Sequence, residues 1–289
     1  MLKIIKRLRY AQVNSKVIRK FLSLYYKEEK ICRIPFGPLR GLKIRYNKDI
    51  TFHAVLGLLD LDTFEVLLRI MKTLGLLEDS ISVCDVGANI GIYSLWFSRY
   101  LDRKSRIYAF EPAPYAAERL KDNILINGII NVEIVQAACS GSSGETEFFI
   151  GYNHYASSLD KKRAAGLGSE PERIKVKSTT LDDFFYGIES REAPQLIKID
   201  IEGGAVFALK GCNRCIEEKR PLILIESHMP EEDLAISRAI QEHDYQAFRL
   251  TNRQWVENIK DAFPNPRGVW GTLLLCPAET RKNLERIFP

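Results

Sequence analysis

Residues able to bind a ligand or move a proton follow three apolar segments of this sequence, where predicted strands end. The segment Val83–Trp96 reads VCDVGANIGIYSLW, so an apolar strand ends around Asp85 and continues through a glycine-containing turn into an apolar helix. Glu111 closes the segment RIYAF, and Asp200 and Glu202 lie in the segment QLIKIDIEGG. Because the carboxyl ends of parallel strands meet at one edge of a sheet, we expect these acids to lie close together.

The turn after Asp85 predicts a nucleoside ligand without a pyrophosphate. Gly87 and Gly91 permit positive φ and a close approach of the backbone to a ligand. Dinucleotide-binding enzymes use the spacing GxGxxG, whose middle glycine clears space for the pyrophosphate, and this sequence has Asn89 there. We therefore expect S-adenosylmethionine, whose methionine end would meet the backbone of Gly87, Asn89 and Gly91. Asp85 would contact its ammonium directly or through water, or would only cap the following helix.

Glu111 is the predicted ligand of the ribose. It lies twenty-six residues after Asp85 and is followed by Pro112, which ends the strand because it has no backbone donor. A carboxylate at this position can accept hydrogen bonds from both ribose hydroxyls. The same acid would also serve NAD, so the glycine spacing decides in favour of S-adenosylmethionine.

Asp200, Glu202 and His228 are the candidate catalytic residues. The two acids share one side of an extended segment, and they could act as a base, bind the ammonium of the donor or ligate a divalent cation. No metal is expected, because two acids alone do not supply the oxygen ligands that Mg²⁺ requires. His228 follows the strand LILIE at the same edge, where it acts as a general base or is structural. Lys198, inside the strand, is predicted to be paired, or to extend its charged end to the surface, rather than to be catalytic.

Strands and helices alternate along most of the chain, which predicts an α/β fold with a mostly parallel sheet and helices on both faces. Residues 1–61 are predicted to form an extension that contains a basic amphipathic helix and a small hairpin with LKIRY as its second arm. Residues 62–289 are predicted to form the main domain. The stretch from Gly151 to Arg173 lacks periodicity and is predicted to be a loop that faces the substrate, together with Trp255 to Trp270.

Five motifs in the same order resemble the FkbM family of class I methyltransferases: DVGANIG, FEP, SSL, TTLDDF and KIDIEGG followed by LKG. The resemblance runs from about Leu76 to Ser227. It implies a Rossmann-like fold with seven strands, S-adenosylmethionine as the donor, and O-methylation of a hydroxyl on a sugar, a glycan or a secondary metabolite. It also implies that Ala138 shapes the adenine pocket. Gly204 departs from the commoner family form, in which an acidic or small residue precedes the next helix.

Composition describes an ordinary globular protein, with 289 residues of which 46% are hydrophobic. The sequence shows no membrane-spanning run and no signal peptide, and its six cysteines are sparse, so we expect a cytoplasmic protein. The net charge of +5 conceals a balance of +7 in residues 1–30, so we do not expect nucleic-acid binding by the whole chain. The basic segment either contacts an anionic membrane surface peripherally or packs on its own domain, and its narrow apolar stripe favours packing.

Two other functions stay open at this point. One is an NAD-dependent oxidoreductase or epimerase, disfavoured by Asn89 in the place of the middle glycine. The other is a non-catalytic protein that binds the cofactor and a partner without turnover. The sequence predicts a small-molecule or glycan acceptor without identifying it, and it predicts no oligomeric state.

Overall fold

The computed structural model describes residues 26–47, 51–56, 58–151, 157–165, 170–250, 252–256 and 271–288. The predicted N-terminal basic helix and most of the predicted acceptor-facing segment from Trp255 to Trp270 lie outside these ranges. No helix within them combines the length and the apolar character that a bilayer crossing requires.

The described strands, in chain order, are β1 (Ile31–Arg33), β2 (Lys43–Arg45), β3 (Ser82–Val86), β4 (Arg106–Phe110), β5 (Val132–Val135), β6 (Ala138–Cys139), β7 (Gly144–Ile150), β8 (Glu172–Thr179), β9 (Leu196–Ile199), β10 (Leu222–Ser227), β11 (Tyr245–Arg249), β12 (Gln254–Trp255) and β13 (Gly271–Pro277). The described helices are α1 (Phe52–Val55), α2 (Leu61–Thr73), α3 (Ile92–Tyr100), α4 (Pro114–Ile126), α5 (Lys161–Ala165), α6 (Leu181–Tyr186), α7 (Ala205–Lys210), α8 (Pro230–Glu242) and α9 (Ala278–Glu285), with a π-helical turn at Cys215–Lys219.

The central sheet has the strand order β12-β11-β13-β10-β9-β3-β4-β5 over the described residues. Strands β4 and β5 run parallel on one side of β3, and β9 and β10 run parallel on the other. Strand β13 lies antiparallel between β10 and β11. The mostly parallel α/β fold is therefore confirmed, and β12 extends the predicted seven strands to eight. The strand order reverses beside β3, which is where ligands bind in open α/β sheets.

Side chains alternate between the two faces of the sheet and build a separate core on each. Val83 of β3 joins the cluster of Phe64 and Trp96, from α2 and α3. Its neighbour Cys84 joins the opposite cluster, which includes Phe185 of α6. Both faces are thus covered by helices, as a mostly parallel sheet requires.

The predicted hairpin is confirmed. Strands β1 and β2 are antiparallel, and Ile31 pairs with Arg45. Its backbone is attached to α4, because the Arg45 N–H donates to Asn123 Oδ1 at 2.9 Å. Ile44 lies in the same cluster as Phe64 of α2, so the hairpin shares a core with the main domain. The domain division after residue 61 stays a prediction.

A second sheet with the order β6-β8-β7 was not predicted. Strands β7 and β8 form an antiparallel hairpin, and the predicted loop from Gly151 to Arg173 supplies its connection. Part of this connection returns to β7, since Ser158 and Phe149 exchange backbone hydrogen bonds of 2.9 and 2.8 Å. The small sheet therefore holds the described part of the connection beside the carboxyl edge of the central sheet.

Candidate active site

The turn between β3 and α3 has a backbone conformation that favours glycine. Gly87 has φ 77° and Gly91 has φ 93°, while Asn89 has φ 49°. A Cβ atom at Gly87 would lie 2.1 Å from the backbone oxygen of Asp200 and 2.7 Å from Cγ2 of Ile201. The turn is thus packed directly against the end of β9, which only a residue without a side chain permits.

Glu111 lies at the end of β4, where both carboxylate oxygens accept backbone hydrogen bonds. The Asn89 N–H donates to Oε2 at 2.8 Å and the Ala113 N–H donates to Oε1 at 2.9 Å. Burial, which these two hydrogen bonds only partly offset, raises the pKa of Glu111 to about 7. Each carboxylate oxygen has a second acceptor position. Glu111 is therefore held rigidly with acceptor capacity left for the hydroxyls of a ligand.

Asp85 lies beneath the turn and does not line the cavity. It is fully buried, the Ser94 hydroxyl donates to its Oδ2 at 2.6 Å, and Lys198 Nζ lies 3.4 Å from its Oδ1. Direct contact with a donor's ammonium, one of the predicted roles of Asp85, therefore does not agree with its position. Its position instead fits an indirect role, in which Asp85 holds Lys198 and Lys198 lines the cavity.

Lys198 connects three oxygen atoms from two neighbouring strand ends. Its Nζ donates to the Gly87 carbonyl at 3.0 Å and lies 3.4 Å from Asp85 Oδ1 and 3.4 Å from Asp200 Oδ2. Burial alone would lower the pKa of Lys198, but Asp200 and Asp85 raise it above its ordinary value. The prediction that Lys198 is paired is confirmed by these contacts.

Three carboxylates converge on Nε2 of His228. Asp200 Oδ1 lies 3.5 Å from this nitrogen, Glu202 Oε1 lies 3.6 Å away and Glu226 Oε1 lies 3.7 Å away. On the other side of the ring, Glu232 Oε2 lies 3.7 Å from Nδ1 and accepts a hydrogen bond of 2.7 Å from the His228 N–H. The structure thus brings the three predicted catalytic residues together.

This cluster shifts the pKa values of its members. Burial alone would lower the pKa of His228, but the surrounding carboxylates of Glu232, Asp200, Glu202 and Glu226 raise it to about 9. Burial and the charge of Asp200 raise the pKa of Glu226 to about 7. A pKa above neutrality favours the protonated form of unliganded His228, which disagrees with its predicted role as general base. Asp200 and Glu202 are better placed for that role.

The described segment at residues 157–165 closes over this cluster. The Ser158 hydroxyl donates to the Glu202 carbonyl. The Arg163 Nε donates to Glu202 Oε2 at 2.6 Å, and a second guanidinium nitrogen pairs with the same oxygen. Glu202 therefore has one oxygen held by Arg163, while the other faces His228.

The glycine turn, Glu111 and the acids that face His228 Nε2 line one cavity of about 260 Å³. The predicted site residues on its wall are Gly87, Asn89, Glu111, Ala138, Asp200, Glu202 and His228. Gly91 does not line the cavity and instead precedes α3, where a Cβ atom would lie 2.4 Å from Leu120 Cδ1.

The lining residues that were not predicted as site residues include Asp60, Tyr93, Lys198 and Glu226. Side chains two residues apart on a strand point to the same side, so Glu226, two residues before His228, could have been predicted as a site residue. Asp60 precedes α2, and its Oδ2 accepts a hydrogen bond of 3.1 Å from the Tyr93 hydroxyl. No sequence signal places Asp60 here, because α2 reaches the site through tertiary packing.

The cavity has two ends with different chemistry. The turn end presents Glu111, backbone groups and the small side chain of Ala138, which together suit a nucleoside. The acidic end presents Asp60, Asp200 and Glu226, which suit the hydroxyls of a second molecule and can accept a proton.

Comparison with known proteins gives consistent results. The family model described as the methyltransferase FkbM domain matches residues 85–247. Methyltransferase 1 of Beauveria bassiana is 22% identical over 191 residues, which are 61% of this chain and 76% of that protein. Hexuronic acid methyltransferase AglP of Haloferax volcanii is 25% identical over 167 residues, which are 57% of this chain and 63% of that protein. The crystal structure of methyltransferase FkbM from Methylobacillus flagellatus KT aligns with a TM-score of 0.43 and 19% identity, over 68% of this chain and 43% of that chain.

Proposed function

Because the chain belongs to the FkbM family of methyltransferases, we propose that it transfers a methyl group from S-adenosylmethionine to a hydroxyl of a sugar, a glycan or a secondary metabolite. One observation carries the proposal: Glu111 and the glycine turn share a single cavity with the acid cluster around His228. The relative from Haloferax volcanii, named as a hexuronic acid methyltransferase, supports a sugar as the acceptor class.

The turn end of the cavity fits S-adenosylmethionine. Glu111 has acceptor positions left for the two ribose hydroxyls, and the absence of a side chain at Gly87 keeps the turn close to the end of β9. Ala138 contributes a small wall for the adenine. When bound, this cofactor supplies an electrophilic methyl group on a sulfonium.

The acidic end would orient the acceptor and take its proton. A hydroxyl must lose its proton as its oxygen forms the bond to the methyl carbon, and a nearby base assists this loss. Asp200 and Glu202 can accept hydrogen bonds from the hydroxyl and receive the proton. His228, protonated at neutral pH, stabilises the carboxylates around it and limits their repulsion.

A matched pair of variants tests donor binding. We expect Glu111→Gln to weaken S-adenosylmethionine binding roughly tenfold to hundredfold, because charge-assisted hydrogen bonds contribute about 1.5–3 kcal/mol. Glu118→Gln removes an exposed carboxylate of α4 and should bind as the wild type does. Calorimetric titration with S-adenosylmethionine, and with NAD in parallel, measures both. Wild-type binding of NAD instead would contradict the proposal.

Turnover needs its own assay, with methyl-labelled S-adenosylmethionine and a panel of sugars, sugar acids and fractionated glycans. We expect label to enter a hydroxylated acceptor and Asp200→Asn to abolish the transfer. Binding of the donor without transfer to any member of the panel would favour the non-catalytic alternative.

A further inference from the structure

Asp200, Glu226 and His228 direct three metal-binding atoms into the same space. These atoms lie within 4.8 Å of one another, and all three side chains line the cavity. Asp200 follows β9, Glu226 lies in β10 and His228 follows it directly. Strands β9 and β10 are paired in the centre of the sheet, so hydrogen-bonded backbone positions all three donors.

The spacing of the donors matches a metal site. His228 Nε2 lies 3.5 Å from Asp200 Oδ1 and 3.7 Å from Glu226 Oε1. With metal–ligand bonds of about 2.0–2.2 Å, neighbouring ligand atoms lie about 3.0–3.5 Å apart and opposite ones about 4.3 Å apart. The two separations from His228 lie at or between these values, and all three atoms lie within 4.8 Å of one another, so small side-chain rotations would let one ion reach all three without displacing either strand.

A buried carboxylate fixes the orientation of the imidazole. Glu232 is fully buried, and its two oxygens accept hydrogen bonds from the backbone N–H groups of His228 and Ala205, at 2.7 and 3.1 Å. Its Oε2 also faces the buried Nδ1 of His228, at 3.7 Å. Histidines that bind metals commonly have a carboxylate behind the ring, which directs the other nitrogen to the ion. Here that other nitrogen, Nε2, faces Asp200 and Glu226.

The neighbouring cations leave the donor atoms accessible. Lys198 approaches Asp200 through Oδ2, whereas Oδ1 faces His228. Arg163 holds Glu202 through Oε2, whereas Glu202 Oε1 lies 3.6 Å from His228 Nε2, beside the donor set. Among the described residues, His228 is the one basic side chain within ion-pair distance of Glu226, and it is itself one of the three donors. A divalent ion would therefore neutralise carboxylates that the protein's own cations only partly balance.

We propose that Asp200, Glu226 and His228 bind one divalent cation of the Mn²⁺ type, which replaces the proton on His228 Nε2 and also coordinates the acceptor hydroxyl. Two carboxylates and one imidazole suit such an ion, and the open cavity leaves positions for water or substrate. The coordination of the acceptor rests on the proposed methyl transfer, whereas ion binding does not.

The ion would make the hydroxyl a stronger acid. Its O–H bond breaks and the proton passes to Glu202 Oε1. The oxygen electron pair forms the bond to the methyl carbon, while the carbon–sulfur bond breaks and its electrons stay on sulfur. Charge and atoms balance without any further reactant.

The test is titration of the full chain with MnCl₂ after chelator treatment, without S-adenosylmethionine. Loss of the free Mn²⁺ signal in electron paramagnetic resonance and calorimetry both report binding. We expect one equivalent to bind to the wild type, and Glu226→Gln to weaken the affinity at least tenfold. Glu65→Gln makes the same change at an exposed position of α2 outside the cavity and should match the wild type. Circular dichroism verifies that each variant folds.

Absence of Mn²⁺ binding by the wild type, or equal affinity of Glu226→Gln and Glu65→Gln, would overturn the inference. A parallel titration with S-adenosylmethionine separates it from the proposed function. Donor binding with no Mn²⁺ binding rejects the metal site alone, and Mn²⁺ binding with no donor binding rejects the methyl transfer alone. We expect chelator to remove the transfer activity and Mn²⁺ to restore it, and activity that survives chelation would reject the catalytic role of the ion.

Discussion

Replacing Gly87 with alanine tests whether the turn between β3 and α3 must lie against β9. The added Cβ would lie 2.1 Å from the Asp200 carbonyl oxygen, a backbone atom that cannot rotate away. The backbone at Gly87 also has φ 77°, where an alanine is strained. Two separate penalties therefore act on Gly87→Ala, one conformational and one steric.

Gly75→Ala is the matched control, because it has the conformational penalty without the steric one. Gly75 has φ 75°, and a Cβ atom there would have nothing within 4 Å. We expect Gly75→Ala to lower the free energy of unfolding by about 1–2 kcal/mol, the penalty of a left-handed alanine. Gly87→Ala should lose a further ~1–3 kcal/mol, as typical of an overpacked site.

Urea denaturation measures both losses, and calorimetry measures binding of S-adenosylmethionine. Gly87→Ala should also lose donor binding, because the Gly87 carbonyl accepts the hydrogen bond from Lys198 and the residue lines the cavity. Gly75→Ala should bind the donor normally. Equal stability of the two variants would refute the close approach of the turn to β9.

Two further predictions concern buried charge. Burial raises the pKa of unliganded Glu111 to about 7, and ribose hydroxyls favour the ionised form, so donor affinity should rise as pH increases from 6 to 8. Calorimetry in buffers of different ionisation enthalpy should show proton release on binding, and a pH-independent affinity equal to that of Glu111→Gln would contradict this. Lys198→Met leaves fully buried Asp85 without its cation, so the free energy of unfolding should fall by about 3–5 kcal/mol. Adding Asp85→Asn should recover part of the loss in urea denaturation, and no recovery would exclude the pair as the cause.

The strand ends and their acids could be predicted because local patterns specify them. Each of β3, β4 and β9 is a short apolar run with an acid at or just beyond its end, and parallel strands in one sheet present those ends together. The same rule explains why Asp200 Oδ1 and His228 Nε2 lie 3.5 Å apart, although α7 and β10 lie between the two residues in the sequence.

Contacts between distant segments could not be predicted in the same way. Strand β8 reads ERIKVKST, in which Ile174 and Val176 alternate with exposed lysines as in a half-buried strand, but this pattern does not indicate that the strand pairs with β7. Asp60 reaches the cavity only because α2 packs beside α3, with Phe64 and Trp96 5.0 Å apart between ring centroids. Neither the pairing partner of β8 nor the position of Asp60 at the cavity leaves a periodic signal in the sequence.

The pairing register of β3 and β9 determines how the two ends of the cavity are connected. Asp85 is the direct partner of Lys198 in this register, and strand alternation directs Asp200 to the same side as Lys198. One ammonium therefore meets oxygens of Asp85, Asp200 and Gly87. An ammonium has three donors around one point, whereas the guanidinium of arginine spreads its donors over a rigid plane. Only lysine can join the turn to the acid cluster from within the strand, so a shift of the register by one residue would disconnect them.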